Sequence, residues 1–284
     1  MFNNKNKSAT PPYKLGFSHL INPSRSNSKS QVEAHPSPTL PVQGERTITA
    51  KYSCGFTLAE VLITLVIIGV IAALTVPSML NKYQEKETVA KLKKCYSILS
   101  SAIKLAENSN GPIDGWEGWE ESSGENALKI LNILAPHLNI MKNCGTGTGC
   151  WYSGMYKHLR GTDWSNYDED TSRARAYLAD GISIQVHVLN SPNCTGHYGE
   201  SKLLSNICGS INVDINGPKK PNQAGKDYFS FYISKYGLVP WGTQGITSYS
   251  LDKYCKNKQS TGWTCAAWVL SKGNMDYLYH DVSW

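Results

Sequence analysis

The feature that most constrains this chain is an uninterrupted apolar stretch at residues 56–76. Its sequence is FTLAEVLITLVIIGVIAALTV, with one charged side chain, Glu60, and with Pro77 directly after it. A helix of about 20 apolar residues spans a bilayer. Because the stretch is apolar on every side rather than on one face, lipid or other helices have to surround it. The sequence therefore predicts one membrane-spanning helix at residues 56–76.

The segment before it, residues 1–55, has the composition of a leader. It is rich in Ser, Pro, Asn and Lys and has no apolar periodicity with which to build a core. It holds seven Lys and Arg against two Glu, which leaves 21 basic and 20 acidic residues beyond Gly55. Since the net charge of +6 lies mostly here, a nucleic-acid-binding surface is not predicted on the folded part. An unusually long leader and a later, non-Met start near Val42 both remain open.

Glu60 is the unusual residue of the apolar stretch. A carboxylate inside a membrane-spanning helix costs about 2.5–3.5 kcal/mol, so an acid there suggests a partner or a function. If the chain is cut after Gly55, Glu60 lies one helical turn from the new α-amino group of Phe56. It would then pair with the amine of a neighbouring subunit and fix the stagger between the two. Alternatively, Glu60 lies at the membrane interface and snorkels to water.

The string GFTLAEVLITLVIIGVIAALTVP resembles the N-terminal segment of type IV prepilins and type II secretion pseudopilins. The shared features are a Gly before the cut, Phe after it, Glu at the fifth mature position and Pro at the twenty-second. The resemblance implies that a prepilin peptidase and methyltransferase cleaves after Gly55 and methylates Phe56, and that Glu60 serves subunit docking. It also implies a bend or loosening of the helix at Pro77, which the proline ring would favour in any helix.

Beyond Pro77 the chain becomes amphipathic. Apolar residues recur at steps of three and four while lysines lie between them, and Gly111 with Pro112 supplies a stop signal. The apolar positions are Val89, Leu92, Tyr96, Leu99, Ile103 and Ala106. We therefore expect one long helix over residues 56–108, about 80 Å in length and ending near Glu107.

Residues 109–284 read as an extracytoplasmic globular head. A short helical pattern surrounds Leu131 and is broken by Pro136, and apolar residues then alternate with polar ones at 182–188, 211–215 and 229–233. These stretches predict an antiparallel sheet with one face on the long helix and the other toward solvent. The predicted fold class is α+β, with the pilin-like arrangement of a long N-terminal helix packed on a sheet.

Export of the head makes disulfides the default use of its cysteines. Cys54 would leave with the leader, so seven cysteines remain, and their connectivity stays open because they allow 105 arrangements. Proximity suggests Cys144–Cys150, Cys194–Cys208 and Cys255–Cys265, and the last resembles the C-terminal disulfide loop of pilins. Cys95 is then a buried free thiol, with a Cys95–Cys144 bridge as the alternative.

Catalytic and metal-binding patterns are weak. The sequence contains no HExxH, GxSxG or GxxxxGK[ST] motif, and its histidines lack ligand spacing. His187 falls on the polar face of a predicted strand, where we expect it to be exposed. Asp214, Asn216 and Asp227 form a weak candidate cation site, but Gly225 stands where a calcium loop needs Glu, and a turn at Asn216-Gly217 is favoured. The sequence predicts neither an enzyme nor a cofactor.

The predicted function is therefore a filament subunit. The resemblance implies other pilin or pseudopilin subunits, the peptidase and an inner-membrane assembly platform as partners, for adhesion, motility, DNA uptake or secretion. Arg46 and Lys51 favour a cytoplasmic N-terminus of a single-pass inner-membrane protein, whose head later joins a periplasmic or surface filament. The size of the head favours a minor pilin or pseudopilin. The alternatives are a signal-anchored adhesin or binding domain that does not polymerise and, less favoured, an anchored enzyme.

Overall fold

A long helix and a six-stranded sheet form the molecule. The computed structural model describes residues 55–284. The predicted leader, including Cys54, therefore lies outside the described residues except for Gly55. Helix α1 spans Leu58–Asn110, begins at the N-cap Thr57 and ends at Gly111. At 1.5 Å per residue its 53 residues extend about 80 Å, so the predicted long helix is confirmed, with a start two residues later and an end three residues later than expected.

The two halves of α1 have different surroundings. Buried side chains begin at Val89 and recur along one face as far as Ala106. They include Leu92, Leu99 and Ile103, as the amphipathic pattern predicts, and also Cys95 and Ala102, whereas Tyr96 is only partly buried. The helix is continuous through Pro77, so the proline does not divide it into two helices.

The head adds three α-helices, α2 (Gly124–Leu134), α3 (Leu251–Tyr254) and α4 (Cys265–Lys272). Ser123 caps α2 because its side chain accepts a hydrogen bond from the backbone of Asn126. A single 3-10 turn, Ala135–His137, follows α2 at Pro136, where the sequence predicted a break. Eight strands follow in chain order: β1 (Ile140–Gly145), β2 (Tyr156–Lys157), β3 (Asp163–Ser165), β4 (Ala174–Leu178), β5 (Ser183–Val188), β6 (Ile207–Asp214), β7 (Tyr228–Ser234) and β8 (Gly237–Pro240).

Six of these strands form one antiparallel sheet in the order β1-β4-β5-β6-β7-β8, and β2 pairs with β3 separately. The three strands predicted from alternation correspond to β5, β6 and β7. One face of the sheet packs against α1, α2 and α4. Tyr96 shows the fit, since its ring lies 5.8 Å from that of Phe231 and its hydroxyl donates to the carbonyl of Leu238 at 3.3 Å. The predicted α+β fold with a helix-covered sheet is confirmed.

The second face of the sheet is not open to solvent, and that expectation was wrong. Every residue of β6 and β7 is buried. The chain between β1 and β4 and the chain after β8 fold across this face and place an aromatic cluster on it, which includes Trp151, Tyr156, Tyr167 and Tyr228. The indole of Trp151 donates to the carbonyl of Ile184 in β5 at 3.1 Å. These contacts are long-range, so the alternation within a single strand does not reveal them.

Candidate functional site

The most distinctive surface is the apolar half of α1. From Leu58 to Leu80 its large apolar side chains are exposed; Leu74, for example, is 75 % exposed. Among the described residues, α1 is the one helix long and apolar enough to cross a membrane, and the apolar window that qualifies it is not buried at all within the chain. A contiguous apolar surface of this size is a site of interaction with lipid or with other apolar helices.

A capping box fixes the start of this surface. The side chain of Thr57 accepts a hydrogen bond from the backbone N–H of Glu60 at 3.2 Å. In return, Glu60 Oε2 accepts from the backbone N–H of Thr57 and from its hydroxyl, both at 2.8 Å. This reciprocal pairing satisfies two donors at the helix start. Sequence reasoning missed this role of Thr57, although the Thr-x-x-Glu spacing before an apolar run signals it.

Gly55 and Phe56 lie just before the cap, outside the helix, and both are exposed. A Cβ atom added to Gly55 would meet no atom within 4 Å. The described fold therefore does not require glycine at this position. Phe56 is 87 % exposed, so its ring is likewise not used in the core. Together with Glu60 and Pro77, these residues lie in one segment of 23 residues, 55–77, in which nearly every side chain is exposed.

The weak cation candidates lie together, but their oxygens hold a turn. Tyr156 donates its hydroxyl to Asp214 Oδ2 at 2.5 Å, and the backbone of Asn216 donates to Asp214 Oδ1 at 3.1 Å. Asp227 accepts from the backbone N–H groups of Asn222 and Gln223, both at 2.6 Å. Within residues 55–284 no group of three or more His, Cys, Asp or Glu residues is arranged to hold a metal ion.

Burial changes the titration of this turn. It raises the pKa of Asp214 well above the usual range of a carboxyl, and the nearby Asp227 acts in the same direction. Burial also raises the pKa of Asp227 to about 6, although its backbone hydrogen bonds oppose the shift. The pair is therefore a buried structural element whose carboxyl groups keep their protons to higher pH than exposed carboxyl groups do.

His187 is half-buried rather than exposed, contrary to the sequence expectation. Its ring lies 3.1 Å from the hydroxyl of Ser122, in the segment that leads into α2. Burial lowers the pKa of His187 to about 4, with a smaller contribution from Arg173. The residue is therefore neutral at physiological pH and contributes to packing.

The cysteines of the head are joined in the three pairs that lie closest in sequence. Cys144 is bonded to Cys150, Cys194 to Cys208 and Cys255 to Cys265. Cys95 is free and buried in the contact between α1 and the head, and burial raises the pKa of its thiol. The alternative Cys95–Cys144 bridge is not formed.

Two family models match the chain. One, described as the prokaryotic N-terminal methylation motif, matches residues 50–76, and this motif is the signature of type IV pilins and pseudopilins. The other, described as a family of unknown function (DUF6613), matches residues 78–273. A search of the curated proteins and a search of the solved structures gave no match. The chain is thus a pilin-like precursor by its methylation motif, and it belongs to the family of unknown function DUF6613, whose model covers more than half of it.

Proposed function

We propose that this chain is a prepilin that is cleaved between Gly55 and Phe56, methylated on Phe56 and assembled into a filament as a minor pilin or pseudopilin. The observation that carries the proposal is the exposed apolar half of α1, which begins at the methylation motif and is buried by nothing in the described chain. The buried half of the same helix belongs to the core of the head. Such a chain can exchange lipid for neighbouring helices without disturbing its fold.

The cleavage site supports the same interpretation. Gly55 is not needed by the fold, so its presence fits a requirement of a processing enzyme rather than of packing. Gly55 and Phe56 are exposed and lie outside the helix, so a peptidase could reach the bond between them. Cleavage would create an α-amino group on Phe56, one turn from Glu60.

Glu60 retains an oxygen for a neighbour. Both bonds from Thr57 end on Oε2, and Oε1 forms no hydrogen bond with the described residues. The carboxylate can therefore cap its own helix and at the same time receive the α-amine of another subunit. In a dry helical bundle this pair would fix the axial register more than it would add net stability.

Mass spectrometry of the mature N-terminus tests the proposal. The chain would be purified from membranes of cells that contain a prepilin peptidase, and we expect a first residue of N-methylated Phe56. A cell without the peptidase is the control and should give the uncut chain. An uncut N-terminus in both cells, or a cut at another bond, would favour the anchored binding domain that does not polymerise.

A further inference from the structure

A basic groove lies where α1 leaves its apolar half and meets the base of the head. Its volume is about 750 Å³, and it is lined by α1 residues between Asn81 and Lys91 and by loops of the head. Five cationic side chains line its head side: Arg160, Lys219, Lys220, Lys226 and Lys258. Lys226 is half-buried and the other four are exposed.

The positive charge of this groove is not balanced within the described chain. None of the five cations forms an ion pair with an acid of residues 55–284. Of the acids that line the groove, Glu87 pairs with Lys91 at 2.9 Å, and Glu85 accepts from the hydroxyl of Tyr279. Asp227 is buried and engaged with backbone N–H groups. A concave site with gathered like charges attracts anions.

The groove begins close to the end of the apolar stretch. Asn81 lies five positions beyond Val76, or about 8 Å along the axis, and Lys91 lies about 22 Å beyond it. The headgroup layer of a bilayer extends about 5–8 Å beyond its hydrocarbon core on each side. When residues 56–76 occupy the hydrocarbon core, the lower end of the groove therefore lies at the outer edge of the headgroup layer.

The helix itself has the side chains of a membrane interface at this level. Met79, Leu80 and Tyr83 are exposed beyond Pro77, and Tyr83 is 66 % exposed. Lys82 and Lys86 flank them. Aromatic and basic residues are typical of the boundary between lipid and water, so this part of α1 is suited to the headgroup layer.

We propose that the basic groove binds the phosphate-bearing headgroup of an anionic phospholipid in the leaflet from which α1 emerges. The five cations would lie against the negative surface, and the head would rest on the membrane in a fixed orientation. This inference goes beyond the proposed function, because it requires α1 in a bilayer but neither cleavage nor assembly.

Reconstituted vesicles test the proposal with the full chain. A fluorophore on a Gln259→Cys variant that also carries Cys54→Ser reports on the groove, since Gln259 lines it, no thiol remains at position 54, and the native Cys95 is buried. A quencher would be attached to a trace of lipid headgroups. We expect stronger quenching in vesicles with 30 % phosphatidylglycerol than in pure phosphatidylcholine. The difference should shrink as salt rises above about 0.15 M, where the screening length is about 8 Å.

Matched triple variants localise the effect. Lys219→Gln, Lys220→Gln and Lys258→Gln together should reduce the preference for anionic vesicles by more than about tenfold, because each lysine near an anionic surface contributes about 1 kcal/mol. Lys142→Gln, Lys202→Gln and Lys253→Gln remove the same charge from exposed lysines outside the groove and should preserve it. Near-UV circular dichroism checks that both variants are folded.

Several results would overturn the proposal. Equal quenching of the unsubstituted groove in neutral and anionic vesicles would do so without any lysine variant, and so would equal losses in the two triple variants. Displacement by free inorganic phosphate at the concentration of lipid phosphate would indicate a site for any phosphate rather than for lipid. Quenching that depends on the protein-to-lipid ratio would indicate a second copy of the chain as the occupant. None of these results bears on the processing at Phe56, which the N-terminal mass measures separately.

Discussion

At the scale of single residues, one substitution can separate the helix cap that Glu60 forms from the docking role that we propose for it. Its Oε2 caps α1 together with Thr57, whereas its charge is what a neighbouring amine would recognise. Gln at this position still completes a capping box but carries no charge. The two contributions are therefore open to independent measurement.

We expect Glu60→Gln to reduce filament assembly strongly while the helix start stays intact. Assembly would be measured as the yield of sheared filaments, and the helix start by hydrogen exchange at residues 58–61. Thr57→Ala is the matched control, because it removes the side-chain cap, at a cost of about 1 kcal/mol, and keeps the charge. Normal filament yield with Glu60→Gln would refute the docking role.

Two buried titrating residues should give opposite pH dependence of stability. Because the pKa of Asp227 is raised to about 6 in the folded chain, its contribution is present at low pH and is lost as pH rises from about 4 to 6. Because the pKa of His187 is lowered to about 4, stability is lost as pH falls below about 6.5, where the unfolded chain binds the proton. Between pH 7 and pH 5 the His187 effect amounts to about 2 kcal/mol. The raised pKa of Asp214 acts in the same direction as that of Asp227.

Denaturant unfolding of the full chain in detergent at pH 5 and pH 7 measures how the free energy of unfolding changes with pH. With His187→Gln, the free energy of unfolding should rise on acidification because the Asp227 effect remains. With Asp227→Asn, the change in the free energy of unfolding on acidification should be less favourable to the folded state than in the unsubstituted chain. If both variants show the same pH dependence of the free energy of unfolding as the unsubstituted chain, burial does not control the titration of these two groups.

At the scale of elements, α1 shows which parts of this fold could be predicted from the sequence. A period of 3.6 places Leu92 and Leu99 on one face, and the structure buries both against the sheet. Strands β5 and β7 could be predicted because their apolar residues alternate with polar ones. β4 was not, because its sequence ARAYL includes Arg175, which is buried and donates to the carbonyls of Tyr167, Thr146 and Gly147.

The functional surfaces likewise include one part that the sequence could predict and one part that it could not. Gly55, Phe56, Glu60 and Pro77 could be proposed from the sequence because they belong to one contiguous motif. The groove was not, because Arg160, Lys220 and Lys258 come from three distant segments that only the fold brings together. The covered second face of the sheet was hidden for the same reason.

The buried and exposed faces of α1 predict that replacing a leucine with alanine destabilises the head by different amounts. Leu92→Ala should lower the free energy of unfolding of the head by about 2–5 kcal/mol, because Leu92 is fully buried and its loss leaves a cavity. Leu105→Ala lies on the same helix but is 49 % exposed, so it should cost less than about 1 kcal/mol. Denaturant unfolding measures both changes. Equal effects would show that α1 is not packed on the sheet as described.

At the scale of the whole molecule, the thiol count reports on both folding and processing. Three disulfides leave Cys95 as the free thiol of the described chain, and it is buried with a raised pKa. Removal of the leader would take Cys54 with it. The number of reactive thiols therefore depends on whether the chain has been cut.

We expect the processed chain to take up no maleimide when native and one equivalent when denatured without reductant. The uncut chain should take up one more equivalent, on Cys54. Intact mass after labelling measures both values, and a Cys95→Ala variant is the control. Two or more equivalents on the denatured processed chain would show that a disulfide is not formed.

The continuity of α1 determines how the molecule bears mechanical load. One helix runs from the apolar end, through Pro77, to the buried side chains Leu92 and Leu99 in the core of the head, with no linker between them. A pull on the apolar end therefore acts in shear along the whole α1–sheet contact, so that many side chains resist it at once. A head fastened in this way follows its helix when it is drawn out of a membrane, and tension travels along the helix rather than through a loop.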